Sequence, residues 1–431
     1  MTYEQALEYL YTQLPMFSRI GIAAYKKDIN NTIELCAALN NPQHKFKSIH
    51  IAGTNGKGST SHMIAAIMQQ QGFKTGLYTS PHIKDFGERI RINGEMINRQ
   101  FVIDFTEKTK NICNKIQPSF FELTVAMAFD YFAEQQVDIA IIETGLGGRL
   151  DSTNIISPIL SIITNIGLDH TNLLGNTLEE IAFEKAGIIK KNTPVVIGEV
   201  NEITRSVFEK KCRQMQIIPV YAENTFRAIK TNHTGNQLIS SVTDLSSNQS
   251  ESYSLDLGGT YQLKNLQTVL TAVHILNTSG FNISLDNTQN ALTNVRETTG
   301  LRGRWDIVSE KPTVIYDVAH NKDGIKFILE QLKASYKNHQ LHFVMGFVND
   351  KDITAILELL PIDAHYYFTN AHIPRALPKE ILLEWANKKN LKGNIFDDVN
   401  KAIEQAKKNA RNEDAIVVCG SFFILSEIEP F

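Results

Sequence analysis

Short apolar runs alternate with longer amphipathic stretches from about residue 45 onward. The first complete repeat predicts a strand at FKSIHIA (46–52), a helix over Ser59–Gln71 and a second strand at KTGLYTS (74–80). Apolar side chains recur at helical spacing within that helix, at Met63, Ile64, Ile67 and Met68. A strand–helix–strand unit of this kind places its first turn at the sheet edge where α/β proteins bind ligands.

The alternation continues to residue 199. Further strands are predicted at VDIAIIE (137–143), PILSIIT (158–164) and TPVVIGE (193–199), with a helix over Leu123–Gln135. Because such uniformly apolar strands between helices are typical of a parallel sheet covered on both faces, we expect that architecture here. A separate amphipathic helix is predicted at the start of the chain, over Thr2–Leu14.

The pattern changes twice in the second half of the chain. Residues 225–260 are polar and predict short surface strands and hairpins, and RETTGLRGR (296–304) has the composition of a hinge. A second α/β alternation follows, with strands at PTVIYD, LHFVMGF, HYYFTN and DAIVVCG, and helices from Gly324, Pro378 and Val399. The 431 residues therefore predict two α/β domains, 1–296 and 297–431, with a ligand in the cleft between them.

The composition of the chain limits which partners it can bind and in which cellular compartment it is expected. A net charge of -3 argues against a nucleic-acid partner, which requires a basic face. Cys36, Cys113, Cys212 and Cys419 show no paired spacing, which favours free thiols in a reducing compartment over zinc or disulfides. Because MTYEQALEYL lacks a signal-peptide pattern and the apolar runs are too short to span a bilayer, we expect a cytoplasmic protein without a membrane partner.

The turn after the first strand, within HIAGTNGKGSTSHMI (50–64), has the composition of a phosphate-binding loop. Glycines let the backbone approach phosphate oxygens, the next helix directs its first N–H groups at them, and Lys57 would neutralise the β- and γ-phosphates. The spacing is unusual, because only two residues separate Gly53 from Gly56 and Gly58 follows the lysine. The hydroxyl that usually holds Mg²⁺ must therefore come from Ser59 or another loop. A plain strand-to-helix turn is the less favoured alternative.

Other polar residues directly follow predicted strands. Ser80 could supply the missing hydroxyl, although a simple turn serine is the favoured interpretation of this residue alone. Glu143 ends an apolar strand before the glycines of GLGG (145–148) and offers an oxygen ligand suited to Mg²⁺, or else a solvated carboxylate. Asp169 and His170 follow a later strand and could cap or orient, since a lone histidine is more often structural.

Two further stretches have simpler alternatives. Lys185, in IAFEKAGIIK, lies on a predicted helix and is most simply a solvent-facing charge. Asp317 and His320, in IYDVAHN, follow a strand of the second domain, where Asp317 could accept from ribose or adenine or be an ordinary turn residue. Neither pattern by itself decides between function and structure.

Taken in order, the motifs resemble those of the folylpolyglutamate synthase and dihydrofolate synthase family, within the Mur-ligase-like ATP-dependent amide ligases. The matching stretches cover nearly the whole chain: AGTNGKGS, TSPHIKDFGERIRING, FFELT, ETGLGGRLDSTN, TNIGLDH, FEKAGIIK, YQLKN, GRWDI, DVAHN and GSFFIL. In this family the short glycine loop is the normal form. The resemblance implies a P-loop-containing parallel-sheet ATPase domain followed by a smaller Rossmann-like α/β domain.

The resemblance also implies roles for individual residues. ATP would be bound by the loop and by residues further along the chain: Gly53, Thr54, Asn55, Gly56, Lys57, Gly58, Ser59, Asn265, Arg304, Asp317 and His320. Two Mg²⁺ ions would be held, the first by Ser80 and Glu143 and the second by His170 with a carbamylated Lys185. The catalytic set would be Lys57, Glu143, His170 and Lys185, and Phe121 and Asp151 would lie near the pterin side of the folate.

The implied reaction joins L-glutamate to the terminal carboxylate of folate, which ATP first converts to an acyl phosphate. Dihydropteroate is left open as a further acceptor, because both activities occur on this scaffold. Tyr261, Arg302 and Val318 replace the family's usual His, Pro and Gly, which removes no charge-bearing group. A P-loop kinase or nucleotide-dependent switch would explain the loop, but not the strand-end Asp and His of the second domain. The protein is expected to be a monomer that acts on small molecules.

Overall fold

The computed structural model describes residues 1–16, 21 and 28–429 of the chain. Within these residues the chain divides into two compact units. Unit 1 comprises Met1–Thr231, Ile239–Asp256 and Gln262–Leu301, and unit 2 comprises Asn232–Leu238, Leu257–Tyr261 and Arg302–Phe431.

Two short segments that precede residue 262 belong to unit 2, and polar side chains form hydrogen bonds between them and the rest of that unit. The Asn236 amide exchanges two hydrogen bonds with the Ile307 backbone, at 2.9 and 3.0 Å. The Gln331 amide accepts from the N–H of Thr260 at 2.7 Å and donates to the carbonyl of Gly258 at 2.9 Å. The predicted boundary between residues 296 and 297 assigned both segments to the first domain, whereas the contacts place them in unit 2 and end unit 1 at Leu301.

Unit 1 contains an eight-stranded sheet within its described residues. The strands are β1 (Lys47–Ala52), β2 (Thr75–Tyr78), β3 (Ile90–Ile92), β4 (Glu95–Met96), β5 (Ile139–Glu143), β6 (Leu160–Ile163), β7 (Val195–Ile197) and β8 (Pro219–Tyr221). Their order is β4-β3-β2-β5-β1-β6-β7-β8; the pairs β2–β3 and β3–β4 are antiparallel, and the other pairs are parallel. The predicted strands and parallel sheet are confirmed, and β2, β5 and β6 are buried along their whole length.

The strand order explains where a ligand site belongs. Because β1 lies between β5 and β6, the loops that follow these three strands are neighbours at the carboxyl edge of the sheet. The connection from β1 to β2 runs along the sheet in one direction, past β5, and the connection from β5 to β6 runs in the opposite direction, past β1. This reversal of direction is the topological switch point at which open α/β sheets bind ligands.

The helices of unit 1 are α1 (Tyr3–Thr12), α2 (Asn30–Ala38), α3 (Lys57–Gln70), α4 (Arg99–Ile116), α5 (Phe120–Glu134), α6 (Thr171–Leu174), α7 (Leu178–Lys185), α8 (Glu202–Gln214), α9 (Gln262–Thr278), α10 (Leu285–Leu292) and α11 (Val295–Thr299). Side-chain caps fix several starts, such as the capping boxes of Thr2 with Gln5 and of Ser119 with Glu122. The predicted helix after β1 is confirmed, but α3 is buried on all sides over Ser59–Met68 instead of on one face, because α9, α10 and α11 also pack against it.

A three-stranded sheet follows the large sheet in the chain. It consists of β9 (Phe226–Thr234), β10 (Gln237–Asp244) and β11 (Ser250–Leu255), in the order β11-β10-β9. Alternate residues of β10 are buried, at Leu238, Ser240 and Val242. The polar texture of this stretch therefore reflects strands with one covered face, and the predicted hairpins are confirmed.

Unit 2 contains a six-stranded sheet in its described residues. Its strands are β12 (Asp306–Glu310), β13 (Thr313–Tyr316), β14 (Leu341–Met345), β15 (His365–Phe368), β16 (Gly393–Ile395) and β17 (Ala415–Cys419). Its helices are α12 (Lys322–Ser335), α13 (Ile353–Leu357), α14 (Lys379–Lys388), α15 (Val399–Asn409) and α16 (Phe422–Ser426). The order is β12-β13-β17-β14-β15-β16, and the pairs are parallel except β12 with β13, so the predicted α/β alternation is confirmed. Among the residues described in both units, no helix is long and apolar enough to cross a bilayer.

Candidate nucleotide and ligase site

The phosphate loop joins β1 to α3 along a backbone path that requires glycine at two positions. Gly53 and Gly56 have φ values of +154° and +84°. A Cβ on Gly53 would lie 1.8 Å from Oγ1 of Thr164, and one on Gly56 would lie 2.3 Å from Oδ1 of Asn265. Both positions therefore combine a conformation that favours glycine with a close approach. The loop leads into α3 at Lys57, so the first N–H groups of the helix and its positive dipole end suit an anion.

The segment that follows β6 fixes the shape of the phosphate loop. The Thr54 hydroxyl accepts from the N–H of Gly167 at 3.0 Å and donates to the carbonyl of Gly167 at 3.1 Å. The N–H of Asn55 donates to Oδ1 of Asn165 at 2.8 Å, and the Thr164 hydroxyl donates to the Asn55 carbonyl at 2.6 Å. No motif singled out these bracing residues, although their position at and directly after the end of an apolar strand is a usable signal.

Two lysines meet at the first glycine of the loop. Nζ of Lys57 donates to the carbonyl oxygens of Gly53 at 3.0 Å and Thr54 at 3.2 Å. Nζ of Lys185 donates to the same Gly53 oxygen at 2.8 Å, and the residue is only 4% exposed. The solvent-facing interpretation of Lys185 is therefore wrong, because the last residue of α7 points inward. Two cationic side chains at the head of the loop attract an anion such as a phosphate.

Ser80 and Glu143 adjoin each other after β2 and at the end of β5. The Ser80 N–H donates to Oε2 of Glu143 at 3.4 Å, and the Glu143 side chain is buried. The hydroxyl of Ser59 accepts a hydrogen bond from Nε2 of Gln262 at 3.1 Å, which engages it between α3 and α9. Of the two serines that could supply the hydroxyl, Ser80 is therefore the one that lies beside the Glu143 carboxylate.

The donor atoms of Ser80 and Glu143 fit a magnesium ion. Mg²⁺ prefers oxygen ligands and is usually bound by one or two protein groups, with substrate phosphates and waters completing its shell. Among the residues that the structure describes, no group of three or more His, Cys, Asp or Glu side chains could hold a metal ion. A hydroxyl and a carboxylate beside a phosphate loop are the kind of partial shell that a nucleotide-bound Mg²⁺ uses.

His170 is the N-cap residue of the short helix α6, which follows β6. Its φ of +50° is left-handed, and its N–H donates to Oδ1 of Asp169 at 2.8 Å. Its ring Nε2 lies 4.0 Å from Oδ2 of Asp169, and about a quarter of the side chain is exposed. Asp169 thus orients the turn that carries His170, as one of the sequence interpretations proposed. The same turn follows Gly167, which Thr54 ties to the phosphate loop.

The glycine-rich loop after Glu143 packs closely on its surroundings. A Cβ on Gly145 would lie 2.4 Å from the ring of Phe121, and one on Gly148 would lie 2.9 Å from the Lys185 carbonyl oxygen. The glycines therefore let the loop approach the Phe121 ring and the end of α7. Phe121 and the end of α7 at Lys185 therefore meet the loop that follows Glu143. The strand-end pattern of the sequence does not predict this meeting.

Asp151 is buried and bonded on both carboxylate oxygens. Its Oδ2 accepts from the N–H of Leu146 at 2.8 Å, and its Oδ1 accepts from the N–H and the hydroxyl of Thr153 at 3.0 and 2.5 Å. Nε2 of His50 lies 2.8 Å from the same Thr153 hydroxyl. Burial raises the pKa of Asp151, while these hydrogen bonds oppose the rise. Asp151 therefore holds the glycine-rich loop in place through its carboxylate.

Unit 2 carries its own cluster, centred on Asp317 after β13. Its Oδ1 accepts from the N–H of Ala319 at 2.8 Å, and its Oδ2 accepts from the N–H of Trp305 at 2.9 Å and the hydroxyl of Tyr261 at 2.8 Å. Burial raises the pKa of Asp317, which the nearby Arg304 and the hydrogen bonds counteract. Asp317 is thus a turn residue that also fixes the backbone next to Arg304.

The two other candidate residues of unit 2 both contact one aromatic ring. The guanidinium carbon of Arg304 lies 5.3 Å from the ring centroid of Phe422, and the His320 ring lies 5.9 Å from the same centroid. Nδ1 of His320 is 2.9 Å from the Val318 carbonyl oxygen. Phe422 belongs to the GSFFIL motif, to which the sequence pattern assigns no role. Its place in the turn just beyond strand β17, where the helix α16 begins, is the signal in the sequence that points to it.

Two family models match the chain. The Mur ligase middle domain matches residues 51–273, more than half of the chain, and the glutamate ligase domain of Mur ligases matches residues 303–422. The first match contains the phosphate loop, and the second contains Arg304, Asp317 and His320.

Similar proteins carry related names. A dihydrofolate synthase/folylpolyglutamate synthase of Bacillus subtilis is 33% identical over 443 aligned positions, covering 99% of this chain and 98% of the relative. The structure is similar to Escherichia coli FolC in complex with DHPP and ADP, with a TM-score of 0.85, 30% identity, and coverage of 99% and 96% of the two chains. A Mycobacterium tuberculosis folylpolyglutamate synthase structure complexed with ADP and AMPPCP gives a TM-score of 0.86 at 27% identity, covering 99% and 97%. The chain therefore belongs to the Mur ligase family of ATP-dependent ligases, in the branch of the dihydrofolate synthases and folylpolyglutamate synthases.

Proposed function

We propose that the protein uses ATP to join L-glutamate to the terminal carboxylate of a folate, through an acyl phosphate. The observation that carries this proposal is the meeting of Lys57 and Lys185 at the Gly53 carbonyl, at the head of the phosphate loop. Folate as the acceptor is supported by the similarity to the Bacillus subtilis enzyme. Dihydropteroate is proposed as a second acceptor, because the same relative is named for both activities.

The proposed chemistry has two steps. A carboxylate oxygen of the folate attacks the γ-phosphorus of ATP, and the bond to the ADP oxygen breaks. The glutamate amine then attacks the acyl carbon, inorganic phosphate leaves, and the nitrogen loses a proton. Because no protein nucleophile takes part, the protein acts by positioning the reactants and neutralising charge on the phosphoryl oxygens. Lys57 would exchange its two carbonyl partners for the β- and γ-phosphates.

Ser80, Glu143, His170 and Lys185 are proposed as ligands of two Mg²⁺ ions. When bound, Mg²⁺ supplies neutralisation of the phosphate oxygens and fixes their geometry. Ser80 and Glu143 would serve the first ion, since their oxygens are hard donors at adjoining strand ends. Lys185 would serve the second ion with His170 after its neutral amine adds to CO₂ and releases a proton, which turns a cation into an anionic oxygen ligand.

Phe121 and Asp151 are proposed to shape the acceptor end of the site. The Phe121 ring lies against Gly145 and offers a flat apolar surface to a pterin ring. Asp151 holds the glycine-rich loop through the N–H of Leu146, so its contribution to the folate site comes through that loop.

Residues of both units are proposed to contact ATP. Asn265 lies against Gly56 of the phosphate loop, so its side chain would be close to a nucleotide bound on that loop. Arg304 ends the predicted hinge, and Asp317 and His320 follow strand β13; they would offer a guanidinium, a carboxylate and an imidazole to the nucleotide. The protein is proposed to act as a monomer in the cytoplasm, where its four buried cysteines stay reduced.

The proposal is tested with a substrate panel in which ADP release is followed with ATP, L-glutamate and either tetrahydrofolate or dihydropteroate. We expect full turnover only when an acceptor and glutamate are both present. Lys57→Ala should reduce turnover by at least about a hundredfold, as expected for the loss of an electrostatic contact to the reacting phosphate. Lys74→Ala is a matched control, because Nζ of Lys74 also donates to a backbone carbonyl, that of Gln135, outside the site.

Two results would count against the proposal. Near-wild-type turnover of Lys57→Ala would remove the phosphate loop from the reaction. ADP release that needs neither acceptor nor glutamate would favour the nucleotide-dependent switch.

A further inference from the structure

Tyr261 stands immediately before α9, in one of the two short segments that belong to unit 2. Its hydroxyl donates to Oδ2 of Asp317 at 2.8 Å, and its ring packs against Phe327, with centroids 6.2 Å apart. Burial chiefly raises the pKa of Tyr261, so the phenol stays protonated and acts as a donor at neutral pH.

The remaining donors to Asp317 are backbone groups with different tasks. The N–H of Ala319 binds Oδ1 and holds the turn that leads to His320, and the N–H of Trp305 shares Oδ2 with the phenol. Trp305 has a left-handed φ of +54°, which is unusual for so large a side chain, and it directly follows Arg304. The carboxylate of Asp317 is thus the anchor that holds this backbone turn beside Arg304.

The Tyr261 hydroxyl determines how that anchor is held. A buried carboxylate keeps its orientation only while its oxygens stay bonded, and a hydrogen bond to a charged group is stronger than one between neutral groups. Without the phenol, Oδ2 would keep the Trp305 N–H as its partner, and the carboxylate could rotate towards it. Any rotation would be passed to the Arg304 turn on one side and to the His320 turn on the other.

We propose that Tyr261 is a positioning residue for nucleotide binding, which acts through Asp317 on the turns that carry Arg304 and His320. This inference rests on the proposed function, because it assumes that these unit 2 residues contact ATP. It goes beyond that proposal by assigning a role to a residue that was noted only as a departure from the family pattern.

The test measures the Kd of ADP by isothermal titration calorimetry for full-length Tyr261→Phe. This substitution keeps the ring on Phe327 and removes only the hydroxyl. We expect Kd to rise roughly tenfold, as for the loss of one hydrogen bond to a charged group. Tyr366→Phe is the matched control, because its hydroxyl also donates to an oxygen within unit 2, the Pro361 carbonyl, at 2.6 Å. The control should leave the Kd of ADP unchanged.

A double-mutant cycle with Asp317→Asn separates positioning from general damage. If Tyr261 acts through Asp317, the Kd of the double variant equals that of Asp317→Asn alone, and the KM for glutamate changes less than the Kd of ADP. Additive effects, or an effect of Tyr366→Phe equal to that of Tyr261→Phe, would overturn the inference.

The same cycle distinguishes the two proposals. If Asp317→Asn weakens ADP binding while Tyr261→Phe does not, only the role of Tyr261 is refuted. If Asp317→Asn leaves the Kd unchanged, Asp317 has no role in nucleotide binding, and the inference about Tyr261 falls with it.

Discussion

Gly56 offers a sharp test of how the phosphate loop is built. Its φ of +84° is left-handed, and an added Cβ would lie 2.3 Å from Oδ1 of Asn265. Asn265 has little freedom to withdraw, because its Nδ2 donates to Oε1 of Gln262 at 2.7 Å. Gly56→Ala therefore combines a strained backbone with an overlap at a side chain that is already fixed.

The expected loss of stability has three parts. The left-handed conformation costs about 1–2 kcal/mol for a residue with a Cβ. Overpacking at a fixed neighbour adds about 1–3 kcal/mol, and a broken Asn265–Gln262 hydrogen bond adds about 1 kcal/mol. Because alanine also lowers the conformational entropy of the unfolded chain, which offsets about 0.4–1 kcal/mol of this cost, we expect a net loss of about 4 kcal/mol.

Gly72→Ala isolates the backbone contribution. Gly72 follows α3 with a φ of +94°, and its added Cβ would meet no atom within 4 Å. It should therefore lower the free energy of unfolding by only about 1 kcal/mol, from strain alone. Urea unfolding of both variants measures the difference, and calorimetry with ADP should show weakened binding for Gly56→Ala only. In Gly56→Ala/Asn265→Ala the steric part should disappear.

Equal unfolding free energies for Gly56→Ala and Gly72→Ala, with ADP affinity intact in both, would refute this reasoning. The contact between the loop and Asn265 would then be soft, and Asn265 would not limit the shape of the loop.

The remaining predictions concern catalysis, acid stability and the unit 2 cluster. Lys185→Ala should lose most ADP release and regain part of it with added acetate or formate; full activity without rescue would contradict a ligand role for this lysine. Burial lowers the pKa of His50 to about 3, so the unfolded chain takes up its proton first. The free energy of unfolding should therefore fall between pH 6.5 and 3 by about 1.4 kcal/mol per pH unit. His50→Gln should flatten that slope in urea titrations, and an unchanged slope would count against it. Phe422→Leu should raise the Kd of ADP a fewfold through loss of the Arg304 contact, whereas the neighbouring Phe423→Leu should not; equal effects would exclude a specific role.

Local patterns in the sequence determined the elements that frame the candidate site. The strand predicted at 46–52 is Lys47–Ala52, and the helix predicted from Ser59 begins at Lys57, because buried strands and helix starts leave short-range signals. The strand-end rule singled out Ser80 and Glu143, whose strands prove to be neighbours. The long helix Arg99–Ile116 was not predicted, since its buried face includes Thr106 and Thr109, which bond their hydroxyls to the helix backbone.

The tertiary structure alone decided which distant residues meet. The local pattern around Lys185 does not distinguish it from a surface lysine, whereas in the folded chain its Nζ lies 2.8 Å from the Gly53 carbonyl oxygen. Asn265 limits the backbone at Gly56, and Tyr261 binds Asp317, although neither pair is close in sequence. Hydrophobic periodicity reports which face of one element is covered, but not which side chain of another element covers it. That pairing follows from strand order and helix packing, which arise only when the whole chain is folded.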